Sequence, residues 1–201
     1  MHRRAFGLVS EVAREVRFVA FAGSLFCFRL GFRMAAPLLP LWYVRELGVS
    51  DGFIGVLGTV QALATMTGYF SWRRPARRIP GRWILLPCGI AMAAFPGAVA
   101  FVHAELLLLP LVVVYAIGYS GFDLAVFDEL MRTVPRDRVV RFTSLDTGVE
   151  NLAGVIGPLL GAAVAGAIGL AAGLSIAAAI GIGGAILLAW SAFSRARAAG
   201  E

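Results

Sequence analysis

Polar residues fall along this chain in clumps, and between the clumps run six apolar windows, near 18–43, 53–72, 83–102, 105–129, 143–166 and 171–193. Each is long enough to cross a bilayer, for which a helix needs about 20 apolar residues. Within lipid only helices and closed barrels satisfy their own backbone hydrogen bonds. None of the runs shows the period of two that a strand carries, so the pattern predicts helices. The connections are short, which predicts one compact bundle. The chain therefore reads as an all-α membrane protein: a six-helix transmembrane domain over 18–193, an N-terminal segment over 1–17 and a tail over 194–201. In the N-terminal segment Phe6, Val9, Val12 and Val16 recur at helical spacing, which fits a short interfacial helix and an unfolded tail equally. The apolar run after it exceeds a signal-peptide core and has no small-residue cleavage site, so the segment is expected to stay attached.

Composition agrees. Of 201 residues, 59% are apolar and the mean hydropathy is +0.82, against about 45–50% apolar in a soluble domain. The net charge of +6 comes from eighteen arginines and no lysine. Their placement is one-sided. Fifteen lie before the first run, between the second and third, between the fourth and fifth, or after the sixth; the other connections hold only Arg45. By the positive-inside rule both termini and the two basic loops are cytoplasmic, in an inner, cytoplasmic membrane. The same clustering assigns the arginines to topology and anionic headgroups, and no nucleic-acid partner is expected.

Against this background two arginines stand out. Arg29 and Arg33 lie one turn apart inside the first span, where each charge costs at least a few kcal/mol unless it is paired. The second span offers Gln61 with Thr59, Thr65 and Thr67. The fourth carries Tyr115, Tyr119, Ser120 and Asp123, then Asp128 and Glu129 at its basic end, and the fifth opens with Asp146, Glu150 and Asn151. The third and sixth have no interior charge. Spans 1, 2, 4 and 5 are thus expected around a polar cleft, with 3 and 6 as lipid-facing supports. Counting from the expected span ends at 1.5 Å per residue puts Arg29 roughly 16 Å deep, Asp123 roughly 9 Å and Glu150 roughly 10 Å. An ion-pair network of Arg29 with Asp123 or Glu150 follows, serving either ligand binding or helix register. Arg33, about 6 Å deeper, has no carboxylate at its own level and is left for an anionic ligand, a tyrosine or a carbonyl. Asp146 suits a favourable acid in the first turn of its helix.

In the fifth span Gly157 and Gly161 make a small-residue face that admits another helix closely. Because the sixth span is equally rich in glycine and alanine, the simplest partner is the sixth. Pro158 removes a backbone bond and can bend the helix. Cys27 and Cys88 sit in apolar runs as packing groups, and no metal-ligand cluster or cofactor motif occurs. Gly118-Tyr119-Ser120-Gly121 matches the GxSG of intramembrane rhomboid proteases, but those need a later histidine as base. The only histidines are His2 and His103. No enzyme is expected.

Order and spacing together point elsewhere. RMAAPLLPLWYVRELGVSDGFIGVL (33–57) runs a first span through prolines into a short outer loop and a second span. GYFSWRRPARRIPGRW (68–83) starts on Gly68, gathers Arg73, Arg74, Arg77 and Arg78, and closes on Gly81-Arg82. FDELMRTVPRDRVVRF (127–142) follows the fourth span and GVIGPLLG (154–161) lies in the fifth. Over essentially its whole length the chain resembles one six-helix half of a major facilitator superfamily transporter, the C-terminal half in particular. One departure concerns the basic loop: Arg77 stands where the family places an acid, and Ile79-Pro80 adds a residue before Gly81. Asp128 or Glu129 is then expected to pair with Arg73 or Arg74 as the loop latch. The resemblance implies membrane transport of a small solute, proton-coupled in the secondary-transporter manner, by a half that pairs with a second copy or a separately encoded half. The substrate and proton site would be built from Arg29, Arg33, Gln61, Tyr119, Asp123, Glu150 and Asn151, and conformational change would pass through the basic loop, Asp128, Glu129, Gly157, Pro158 and Gly161. The alternative is a non-transporting membrane subunit or scaffold derived from such a half.

Overall fold

The computed structural model describes residues 16–133 and 139–199, with side chains over 20–129, at 144 and over 147–194. Of the interfacial helix expected over 5–17 only the last two residues are described, as the start of the first helix; Arg136 and Arg138 lie outside the described residues, as do the side chains of Arg132, Arg141, Arg195, Arg197 and Asp146. The helix of the fifth span begins at Val139, so Asp146 lies past its first turn, not in it as expected. The described residues form helices and connections without strands. Six helical stretches are long and apolar enough to cross a membrane.

The first span is two helices, α1 (Val16–Ala35) and α2 (Leu38–Arg45), broken where Pro37 takes the N-cap of α2. The second is α3 (Asp51–Trp72), begun by Ser50, whose hydroxyl accepts the Phe53 N–H at 3.3 Å. That is the usual work of an N-cap serine. A single turn, α4 (Pro75–Arg78), carries the basic loop with proline at its first position, where the missing N–H has no cost. The third span is α5 (Gly81–Val99), and a short 3-10 turn (Glu105–Leu107) leads into the fourth, α6 (Leu108–Thr133). The fifth, α7 (Val139–Ile168), runs unbroken through Pro158. It turns on Gly169, whose φ of +94° few side chains would tolerate, into the sixth, α8 (Leu170–Ala199).

Packing arranges these spans in a horseshoe. Following the extensive contacts from one tip to the other gives the order α3, α6, α5, α8, α1, α7, or spans 2-4-3-6-1-5. Exchanging spans 1, 2, 3 for 4, 5, 6 turns that order into its own reverse. The contact order is therefore that of two three-helix repeats exchanged by a two-fold, with the equivalent spans 2 and 5 at its tips. Spans 3 and 6 form the back layer. Half of the α5 window is buried, more than any other, while the outer surface of this layer carries exposed Trp83, Ile90, Ile186, Leu187 and Trp190. They are supports, as expected, but central ones.

Glycine decides how closely α1 can sit between its two neighbours. A Cβ on Gly157 would lie 3.0 Å from the Arg33 carbonyl carbon, and one on Gly161 would run into the Met34 backbone. On the other side, Gly184 meets the backbone of Phe28, and Gly31 meets that of Gly181. The small-residue face of the fifth span is thus spent on the first span, not on the sixth as expected. The sixth spends its own glycines there too. The reason is volume: between two helices that both lack side chains at the crossing, only one central helix can be gripped on two sides.

This grip is testable. Gly157→Leu or Gly184→Leu should destabilise the bundle by about 1–3 kcal/mol through overpacking. Gly154→Ala, where an added Cβ meets nothing within 4 Å, should be neutral or slightly stabilising. Thermal unfolding in mild detergent reads both, and equal behaviour of the three variants would contradict the close approach.

Candidate functional site

Along α7, Glu150 and Gly157 are seven residues apart and so share the face that meets α1. Gly157 lies against Arg33, which leaves Glu150 about 10 Å lower, toward the basic end. Arginine side chains on a helix tilt back toward its N-terminus, here the same basic end. Arg33 Nη2 accordingly reaches Glu150 Oε1 at 2.6 Å, and Arg29 Nη2 lies 3.4 Å from Glu150 Oε2. One carboxylate holds two guanidiniums. The expectation that Arg33 lacks a carboxylate at its level is corrected: counting depth from the assumed span ends ignored both the length of the arginine and the earlier start of α7. Arg29 pairs with Glu150 as expected, and Asp123 does not join it by any described ion pair.

Asp123 has a different partner. Its Oδ2 accepts the Tyr69 hydroxyl at 2.8 Å, tying α6 to α3. Beside it the Trp72 indole donates to the Ile117 carbonyl at 3.0 Å, and the buried Ser120 hydroxyl donates to the same oxygen at 2.9 Å. Gly68 makes this crossing possible, since a Cβ there would collide with Ser120. Ser120 is therefore a packing and hydrogen-bonding group beneath α3.

Between these two clusters lies a cavity of about 360 Å³, lined by Leu25, Phe28, Arg29, Phe32 and Arg33 of α1, by Gln61, by Met92, by Tyr115, Tyr119, Phe122, Asp123 and Val126 of α6, and by Glu150. Spans 1, 2, 4 and 5 supply all but Met92, as the charge distribution predicts. Arg29 is the most enclosed of the charged trio, its side chain 17% exposed, while Arg33 and Glu150 are 39% and 40% exposed and open to the mouth of the horseshoe. Asn151 is exposed and not among the lining residues. The walls are aromatic. Phe28 stacks on Phe122 with ring centroids 4.2 Å apart, Phe32 lies parallel to Tyr115 at 6.1 Å, and Tyr115 adjoins Tyr119 at 6.3 Å.

Tyr119 lines the cavity as expected, and Tyr115 with it, whereas Tyr69, Trp72 and the phenylalanines of the walls are features that reading charges alone passes over. The signal was present as spacing: Phe28 and Phe32 flank the arginines one turn apart, and Tyr115, Tyr119 and Phe122 fall at i, i+4 and i+7.

At the basic end the loop departs from expectation. Asp128 Oδ2 accepts the Gly81 N–H at 3.2 Å, and Glu129 Oε1 accepts the Arg82 N–H at 3.0 Å. Both carboxylates thus serve the N-terminus of α5, where free backbone donors and the helix dipole favour negative charge. A Cβ at Gly81 would stand 2.9 Å from the Ala125 carbonyl oxygen, so the glycine is what lets α5 reach them. Arg73, Arg74, Arg77 and Arg78 make no ion pair among the described residues, and the expected latch on Arg73 or Arg74 is replaced by this cap. Arg73 and Arg77 instead border an apolar cavity of about 420 Å³ with Tyr69, Phe70, Ala76 and Leu124.

A six-span horseshoe of two repeats around an aromatic, charge-balanced cavity has the form of a transporter half. A model of the Major Facilitator Superfamily matches residues 21–200, and the chain belongs to that family of multi-pass membrane transporters. Comparison with curated proteins and with solved structures found no match.

The shared carboxylate predicts an asymmetry. Glu150→Ala removes the carboxylate that both guanidiniums share, whereas Arg33→Ala leaves Arg29 still opposite Glu150. Glu150→Ala should therefore lower the melting temperature in detergent more than Arg33→Ala does. Equal losses would show that Glu150 does not hold both arginines together.

Proposed function

We propose that this protein moves a small solute across the cytoplasmic membrane as a transporter half that pairs with a second six-helix half, most simply a second copy of itself. The observation that carries the reading is the exposure of the charged cavity. Arg33 and Glu150 are each about two-fifths exposed at a depth where a charge facing lipid costs several kcal/mol. Something other than lipid must cover them. Only 11% of the α3 window and 17% of the α7 window are buried, against 33–50% for the other spans, and these are the two tips that flank the cavity. A second half docked on both tips would cover the least-buried surfaces and enclose the charges in one step. Within the enclosed cavity Arg29, Arg33, Gln61, Tyr119, Asp123 and Glu150 bind substrate, and Glu150 carries the coupled proton, released from its arginines when substrate arrives. Both termini and the basic loops face the cytoplasm, where the arginines meet anionic headgroups.

The rival reading, a non-transporting membrane subunit or scaffold, needs no filled cavity and no second half around it. Single cysteines placed at the exposed mid-span positions Leu63 of α3 and Leu159 of α7, in a background lacking Cys27 and Cys88, decide between them. Co-expressed Leu63→Cys and Leu159→Cys chains should form an intermolecular disulfide on mild oxidation. Reconstituted vesicles should take up solute under an imposed pH gradient, with at least a tenfold loss in Arg33→Ala. A chain that stays monomeric without cross-linking excludes the homodimer, and vesicles inert to every solute with Arg33→Ala silent exclude transport.

A further inference from the structure

The cavity itself carries information about what it holds, given the transport reading above. The two oxygens of Glu150 are divided between two guanidiniums, Oε1 to Arg33 and Oε2 to Arg29. Paired donors of this kind recognise a planar carboxylate, and here the recognition site is filled from within by the protein's own carboxylate. The occupant is exchangeable. At 40% exposure Glu150 lies at the mouth rather than behind it, and its partner Arg33 is equally open.

The remaining walls restrict the rest of the ligand. Phe28, Phe32, Tyr115, Tyr119 and Phe122 present five rings from α1 and α6, and Leu25, Met92 and Val126 complete an apolar lining. The uncharged polar groups are few: Gln61 and the tyrosine hydroxyls. A polyol or sugar would leave most of its hydroxyls without partners, each at a desolvation cost. A flat apolar body would instead find faces to stack on. Charge sets the last limit. Arg29 and Arg33 are balanced by Glu150 and Asp123, so the lining sums to zero. A dianion would leave a large uncompensated charge at depth. A monoanion leaves one negative charge, which a single proton on the displaced Glu150 removes.

We propose that the cavity takes a small monoanion with a flat apolar body, of the aromatic carboxylate class, whose carboxylate displaces Glu150 from Arg29 and Arg33 while Glu150 takes up one proton. The charged and titratable groups facing Glu150 are Arg29 and Arg33 from α1 and Tyr119 and Asp123 from α6; the described side chains of α8 contribute none, and α3 contributes Gln61 and the Tyr69 that already bonds Asp123. Neutrality before and after binding makes the exchange one proton per anion.

Calorimetric titration of the full-length wild-type protein in lipid nanodiscs tests this with benzoate, benzyl alcohol, benzylamine and phenylalanine as probes. At pH 6 benzoate should bind at least tenfold more tightly than the alcohol or the amine. Its Kd should rise as pH is raised, by up to tenfold per unit, as uptake of one proton requires. Arg29→Gln and Arg33→Gln should each lose at least tenfold. Glu150→Gln should still bind benzoate, with a Kd that no longer changes with pH, a readout that does not rely on the arginine variants folding. Benzylamine binding best would assign recognition to Asp123 and overturn the proposal. Phenylalanine binding best and without pH dependence would assign a zwitterion and also overturn it, as would benzoate binding unaffected by both arginine substitutions or no benzoate binding at all. Vesicle uptake separates this from the transport reading: solutes other than organic anions crossing, with benzoate excluded, sink the substrate class alone. Benzoate bound as described but never moved sinks transport and leaves the site.

Discussion

The fold depends on how closely one helix can be held by two others. α1 carries two arginines into the membrane, and α7 brings one carboxylate, Glu150, within reach of both. That reach exists because Gly157 and Gly161 let the α7 backbone lie against Arg33 and Met34, while Gly31 and Gly184 do the same between α1 and α8 behind. Without an appreciable hydrophobic drive between helices in lipid, close backbone contact is the main source of association there. The same contact positions the ion pairs. Packing and charge are therefore one problem in this protein: loosening the glycine faces would separate the charges, and side chains large enough to fill the crossing would push them apart.

The horseshoe follows from where the small residues and the hydrogen bonds fall. One repeat pins span 2 to span 4 through Gly68 over Ser120, Trp72 on the Ile117 carbonyl and Tyr69 on Asp123. The other pins span 5 to span 1 through glycine and the Glu150 pairs. These are the equivalent crossings of the two-fold, solved with different chemistry. Spans 2 and 5 end as the least-buried tips, span 2 packed on span 4 and span 5 on spans 1 and 6, and Gln61 and Glu150 from them line the cavity between. Charges that are half-exposed at that position are what motivates the proposal that a second half covers them.

Much of this was legible in residues. The six spans follow from apolar runs about as long as a bilayer is thick, and the four cavity-lining spans follow from where charge occurs at all, since a charge inside a span is retained only where something receives it. The pairing of Arg29 with Glu150 was readable from depth. Arg33 was not, because depth along separate helices is counted from ends the sequence places only to within a few residues, and a long side chain covers two turns. The loop latch misled for a related reason. Asp128 and Glu129 stand near many arginines in sequence, yet in space they accept the N–H groups that open α5, which are fixed in the backbone.

By itself the sequence determined the class of protein, the number of spans and the set of helices bearing charge, because those follow from transfer energies that each residue contributes locally. Tertiary structure alone decided which helices touch. A glycine face states that something will approach closely but not what, and the fifth span's glycines chose the first span over the sixth. That choice places Arg29 and Arg33 together on Glu150, so the central site is a product of packing, with the sequence supplying only its components.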